Sequence, residues 1–274
     1  MQALRLGQFR FTRVRELGRG GLGQVIEIRV TESASFGMPE GSHWALKELN
    51  DKWRRHPEMV ERFEREIIAL QSMRHPNIIT QVGENLPQAG RFYVMPVYQS
   101  NLRQWLVHNP RGARYSKVAG YGLALAEALL YAHRAGFIHR DLKPENVLFN
   151  PGEDLKIADW GLGYFVHQHS KVLTSLTRGG MGTEYYCSLE QWSTGKCDER
   201  GDIYSLGMTL DELATGRQRP IKPGYGISGP PSVRPSSNEA KRFNELLMSM
   251  TSAVPSLRPA SMAEVSAELR WLSQ

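Results

Sequence analysis

The chain has 274 residues, 41% hydrophobic and 23% charged, with a formal net charge of +6 and a pI near 9.4. This length suits one large domain or two lobes sharing a core, and the composition excludes a fibre or a disordered segment. The basic residues are scattered, with no long basic block, so nucleic acid is not an expected partner.

The opening MQALRLGQFRF has no apolar core of a signal peptide and no small-residue cleavage site, and residues 1–8 read as an extension before the domain. Phe9 to Leu17 and Gln24 to Val30 alternate apolar with polar residues around a glycine cluster, which predicts a hairpin. That cluster, Leu17-Gly18-Arg19-Gly20-Gly21-Leu22-Gly23-Gln24-Val25, fits G-x-G-x-x-G-x-V. Glycines let backbone N–H groups approach phosphate oxygens with no Cβ in the way. A dinucleotide fold needs a helix after such a loop, whereas the period-two run after Gly23 predicts a strand. The hairpin form suits a loop folded over ATP.

After a Pro/Gly linker from Thr31 to Gly41, His43 to Leu49 reads as a strand with Ala45, Lys47 and Leu49 on one face. Small Ala45 leaves room for an adenine ring, and the Lys47 ammonium can reach phosphate oxygens. Taken alone, such a lysine reads as a solvated edge residue. The next segment changes that. Pro57 to Met73 has helical spacing, with Met59, Phe63, Glu66, Leu70 and Met73 on one face. A carboxylate in that apolar stripe calls for a cation, and Lys47 is the candidate. Ile78 to Val82 and Arg91 to Val97 read as further strands.

Beyond Tyr98 helices dominate: Lys117 to Arg134, capped near Gly136, then Asp202 to Ala214, Asn238 to Met250 and Ser261 to Trp271. Two short strands, Val147 to Phe149 and Leu155 to Ala158, flank the turn Asn150-Pro151-Gly152. No stretch approaches the length of a membrane span. Cys187 and Cys197 stand in no metal-ligand spacing and read as reduced thiols, so a soluble cytoplasmic protein is expected.

The most informative run is His139-Arg140-Asp141-Leu142-Lys143-Pro144-Glu145-Asn146, followed after the second short strand by Asp159-Trp160-Gly161. Phosphoryl transfer to a hydroxyl needs a carboxylate to accept its proton, a cation near the transferred group and hard oxygen ligands for Mg²⁺. Asp141, Lys143, and the pair Asn146 and Asp159 suit those tasks. Read singly, each aspartate is a turn residue at a strand end.

From about Phe9 onward the chain resembles the eukaryotic-type protein kinases, serine/threonine branch. The resemblance rests on the glycine loop, Ala45-Leu46-Lys47, Glu66, His75-Pro76-Asn77-Ile78, His139-Arg140-Asp141, Asp159-Trp160-Gly161 and Gly182-Thr183, in that order. It implies an α+β bilobal fold, with a small β-rich N-lobe carrying one major helix (9–95), a hinge (96–101) and a larger helical C-lobe (102–274). It implies ATP and Mg²⁺ (or Mn²⁺) as cofactors and a protein bearing a Ser/Thr acceptor as partner. Lys47 would hold phosphates and pair with Glu66, Asp141 would be the base, Lys143 the γ-phosphate contact, and Asn146 and Asp159 the metal ligands. Leu17, Gly18, Gly20, Gly23, Val25, Ala45, Met95, Tyr98 and Leu148 would bind the nucleotide.

The same resemblance implies autophosphorylation at Thr174, Ser175 or Thr177, with Arg140 and Arg65 as phosphate ligands, and a buried Glu190–Arg258 pair. The chain departs from the pattern at Trp160, at Ser188-Leu189, at Gln81 in the first lobe's spine, and in the Pro/Gly-rich run Arg217 to Ser237, where a substrate-docking helix is expected to be reduced or absent. A pseudokinase scaffold and a small-molecule kinase are the alternatives; the retained polar residues disfavour the first, and the Gly182–Glu190 segment with Arg258 the second.

Overall fold

The computed structural model describes residues 4–6, 9–19, 23–32, 37–80, 92–152, 154–162, 164–165, 185–218, 221–222, 226–227 and 237–274. The chain divides into two compact units, Met1–Arg74 with Ile79–Gln99, and His75–Ile78 with Ser100–Gln274.

Five antiparallel strands build the first unit: β1 (Leu4–Leu6), β2 (Phe9–Arg19), β3 (Gly23–Glu32), β4 (His43–Leu49) and β5 (Phe92–Met95), hydrogen-bonded in that order. Period-two alternation sorts their side chains onto two faces. One face closes into an apolar core of Phe11, Ile26, Ile28, Val30, Leu46, Phe92 and Val94, which Met38 from the β3–β4 connection completes. Met38 of the linker is therefore a packed part of this unit. On the other face the register aligns Val25, Lys47 and Tyr93 in one row and Glu27, Ala45 and Met95 in the next. Helix α1 (Pro57–Ser72) begins with proline at a position where no N–H is needed, and it buries Met59, Phe63, Glu66, Ala69 and Leu70. Strand β5 ends at Met95, before Pro96, which has no N–H to donate.

In the second unit α3 (Tyr115–Arg134) packs against α5 (Glu199–Thr215) and α7 (Met262–Leu272). At Gly122 an added Cβ would lie 2.8 Å from Leu210 of α5 and 3.1 Å from Leu269 of α7, so glycine sets how closely these helices approach. α6 (Asn238–Met250) completes the bundle. Two shorter helices carry no clear periodic signal: α2 (Leu102–His108), capped by the Asn101 side chain, and α4 (Leu189–Thr194), ended by Gly195 at φ 70°. A small sheet joins β6 (Ser100–Asn101), β8 (Val147–Phe149) and β9 (Lys156–Ile157), while β7 (Phe137–Ile138) pairs with β10 (Tyr164–Phe165).

One sequence expectation needs correction. Ile78 makes an isolated parallel bridge to Ile157 rather than opening a strand, because its backbone serves the second unit. Gln81 lies outside the described residues. Between Arg217 and Ser237 the described residues hold a two-strand ladder, β11 (Ile221–Lys222) with β12 (Gly226–Ile227), and no helix before α6.

Candidate active site

Lys47 and Glu66 meet inside the first unit. The Lys47 ammonium donates to both Glu66 oxygens, at 2.7 and 2.9 Å, and Glu66 is fully buried. Sequence reasoning missed a second donor, Tyr93, whose hydroxyl lies 2.8 Å from Glu66 Oε1 and whose ring lies 5.8 Å below the ammonium. Its signal was available: Tyr93 stands opposite Lys47 in the sheet register. The β3 alternation sets Val25 on the same face, with Ala45 and Met95 buried in the neighbouring row.

The glycines of the loop do different things. A Cβ on Gly23 would fall 2.2 Å from the Glu48 carbonyl, so this glycine is required by the close β3–β4 approach itself. Gly18 faces open space, and Leu17 beside it is half-buried. Gly20 lies outside the described residues. Tyr98 follows β5 and is half-buried, as is Leu148 on β8 in the second unit.

Asp141, Lys143, Asn146 and Asp159 gather in the second unit. Lys143 Nζ donates to both Asp141 carboxylate oxygens, at 3.1 and 3.0 Å. The Asn146 amide donates to the Asp141 carbonyl at 2.7 Å and to its carboxylate at 3.2 Å. The Ala158 N–H donates to the Asn146 carbonyl at 2.8 Å, which holds Asp159 one residue from the loop. His139 ties the same two strands of chain together. Its Nε2 lies 3.0 Å from the Ala158 carbonyl, which can only accept, so Nδ1 is left to accept the Asp141 N–H at 3.2 Å. Trp160 packs edge-on against that imidazole, with centroids 4.6 Å apart, and is fully buried.

Burial pushes the Asp141 carboxyl above its ordinary value, Lys143 opposes the shift, and the negative Asp159 adds to it. Two residues here hold left-handed backbone without being glycine, Arg140 at φ 66° and Asp159 at φ 63°. Asp202 of α5, which the sequence marked only as a helix boundary, braces the first of them. Its carboxylate accepts the His139 N–H, the Arg140 N–H and His133 Nε2, each at 2.8 Å. Burial disfavours its charge, yet His133 and these donors hold its carboxyl below the ordinary value. No sequence signal marked that role: α5 mixes polar with apolar residues, and its burial from Gly201 to Leu213 shows only in the structure.

Glu190 of α4 receives two guanidinium bonds from Arg258, at 2.7 and 2.9 Å. Arg140 is buried and donates to the Cys197 carbonyl at 3.4 Å, and Arg65 pairs with Glu61 on α1. Both cysteines are free thiols. Gly182, Thr183, Thr174, Ser175 and Thr177 lie outside the described residues. Among the described residues no helix is long and apolar enough to cross a membrane.

The family described as "Protein kinase domain" matches residues 11–265. The chain belongs to this family. A probable serine/threonine-protein kinase of Streptomyces coelicolor is 32% identical over 206 residues, which are 73% of this chain and 29% of that protein. One of Clostridium perfringens is 28% identical over 200 residues, 73% of this chain and 28% of that protein. The serine/threonine-protein kinase pkn3 of Myxococcus xanthus is 28% identical over 277 residues, 93% of this chain and 48% of that protein. The kinase domain thus spans less than a third of the first two relatives.

Kinase domains use ATP with a divalent metal, and the polar groups here fit that use. Among the described residues no three His, Cys, Asp or Glu side chains form a closed cation cage. Mg²⁺ does not need one, because it takes one or two protein oxygens and completes its shell with phosphate and water. Asp159 lies close enough for its negative charge to raise the proton affinity of Asp141, and a bound cation would relieve that repulsion.

Proposed function

We propose that this kinase domain, across residues 9–274, transfers the γ-phosphoryl group of ATP to serine or threonine hydroxyls of proteins. The reading rests above all on one observation. Within a single short stretch a buried carboxylate is bonded to an ammonium and an amide, while a second carboxylate raises its proton affinity.

Asp141 orients the acceptor hydroxyl and accepts its proton, a task suited to a carboxyl whose proton affinity is raised. The acceptor oxygen forms a bond to the γ-phosphorus as the bond to the bridging oxygen breaks, and ADP leaves with that electron pair. Lys143 holds the transferred group through its ammonium, and Lys47, oriented by Glu66 and Tyr93, holds the α- and β-phosphates. Asn146 and Asp159 would hold Mg²⁺, which would neutralise charge on the phosphates. Gly18 would lie over the phosphates, and the residues that would contact adenine are Val25, Ala45, Met95 and Tyr98 of the first unit and Leu148 of the second. Autophosphorylation at Thr174, Ser175 or Thr177 and a cytoplasmic location complete the reading; two free thiols accord with a reducing compartment.

The test is incubation with γ-labelled ATP, Mg²⁺ and dephosphorylated casein, followed by phosphoamino-acid analysis. Label on phosphoserine and phosphothreonine is the expected result, with none from Asp141→Asn. Label confined to small molecules, or none with folded protein, would overturn the reading.

A further inference from the structure

Outside the proposed machinery stands Arg103, in the first turn of α2. A cation gains nothing from the partial charges at that end of a helix, so its partners account for its place. There are three. Arg103 Nε donates to Glu145 at 2.7 Å, Nη1 to Glu212 of α5 at 2.6 Å, and Nη2 to the Tyr186 hydroxyl at 2.5 Å. Tyr186 in turn donates to the second Glu212 oxygen and accepts from Gln218 at 3.0 Å. Ser205 of α5 fixes the Tyr186 carbonyl at 2.8 Å. Glu212 and Tyr186 are buried, whereas Glu145 is the half-exposed end of the network.

Glu145 is the middle residue of the turn Pro144–Asn146, between Lys143 and Asn146. That turn closes through two backbone bonds, from the Asn146 N–H to the Lys143 carbonyl at 2.9 Å and from the Val147 N–H to the Pro144 carbonyl. Among the described residues, Arg103 is the side chain that anchors Glu145. Its planar guanidinium reaches three separate acceptors at once, which an ammonium on a flexible stem does not reproduce.

We propose that Arg103 is a positioning residue: acting through Glu145, it fixes the turn that aims Asn146 and Lys143, and it ties that turn to Tyr186 and to α5. The inference rests on the kinase reading for its catalytic consequence, but its structural half stands apart from it. Misplacing a reacting group by about an ångström costs on the order of a hundredfold in rate, so a loosened turn is expected to show in kcat.

The experiment compares wild type, Arg103→Gln, Arg103→Lys, Glu145→Gln and the Arg103→Gln/Glu145→Gln double variant, below their melting temperatures. Two readouts are taken: kcat and KM for casein phosphorylation, and amide hydrogen exchange over residues 143–149. Arg103→Gln should lower kcat about tenfold with little change in the KM for ATP, and should speed exchange in that segment. Arg103→Lys should recover only a minor part of kcat, and the double variant should be no slower than the slower single, since both cut one link. Wild-type exchange in Arg103→Gln together with wild-type kcat would overturn the proposal. So would multiplicative losses in the double variant. Should wild type transfer no phosphate at all, the kinase reading fails, and the exchange comparison alone decides the positioning role.

Discussion

The two units solve the problem of a buried carboxylate in opposite ways. In the first, Glu66 is neutralised by Lys47 and satisfied by Tyr93, and strand register and helix face bring all three together. In the second, Asp141 has its cation in Lys143 but also feels the like charge of Asp159, and its loop stands on left-handed, non-glycine backbone braced by Asp202. The first is an arrangement that stabilises its own unit. The second keeps two like charges near one another, on left-handed backbone that non-glycine residues rarely adopt.

That contrast can be broken directly. Lys47→Met leaves Glu66 buried without its cation, and denaturant unfolding should register a loss of about 3–5 kcal/mol. Lys47→Met/Glu66→Met should recover most of it, since apolar packing replaces the pair. Asp202→Ala removes acceptors from three donors and the brace on Arg140 at once. A loss of about 3 kcal/mol and a fall in phosphate transfer on the order of a hundredfold are expected, measured on protein still folded by circular dichroism. An Asp202→Ala protein with normal activity would show that the loop needs no brace.

A smaller effect sharpens the comparison within the second unit. Burial works against the Glu190 charge, but Arg258 holds its carboxyl below the ordinary value of 4.5. A carboxyl lowered on folding contributes stability above its unfolded value, and that stability is lost as pH falls through the lowered one. The melting temperature should therefore drop as pH is taken below about 4.5, by more in wild type than in Glu190→Gln, which has no carboxyl there to titrate. Smaller again is Tyr93→Phe, which removes one hydrogen bond to a charged acceptor and should cost about 1–2 kcal/mol.

Much of this was legible in the sequence, for physical reasons. Strands β2 to β4 announce themselves through period-two alternation, and α1 through its apolar stripe, so the Lys47–Glu66 contact follows from one misplaced-looking carboxylate. Asp141, Asn146 and Asp159 share a short stretch of chain, and one tight turn suffices to bring them together. What escaped was non-local or short. Asp202 lies more than sixty positions from the amides it holds. Helix α2, at seven residues, is too brief for periodicity, so Arg103 had no element to be placed on. The left-handed backbone of Arg140 and Asp159 leaves no trace where neither residue is glycine.

The most direct test of the central contrast uses one substitution and two instruments. Asp141→Asn removes a charge that burial and Asp159 both disfavour, so its melting temperature at neutral pH should rise above that of wild type while phosphate transfer to casein falls by at least about a hundredfold. A variant that melts lower than wild type, or that still transfers phosphate at the wild-type rate, would contradict the account.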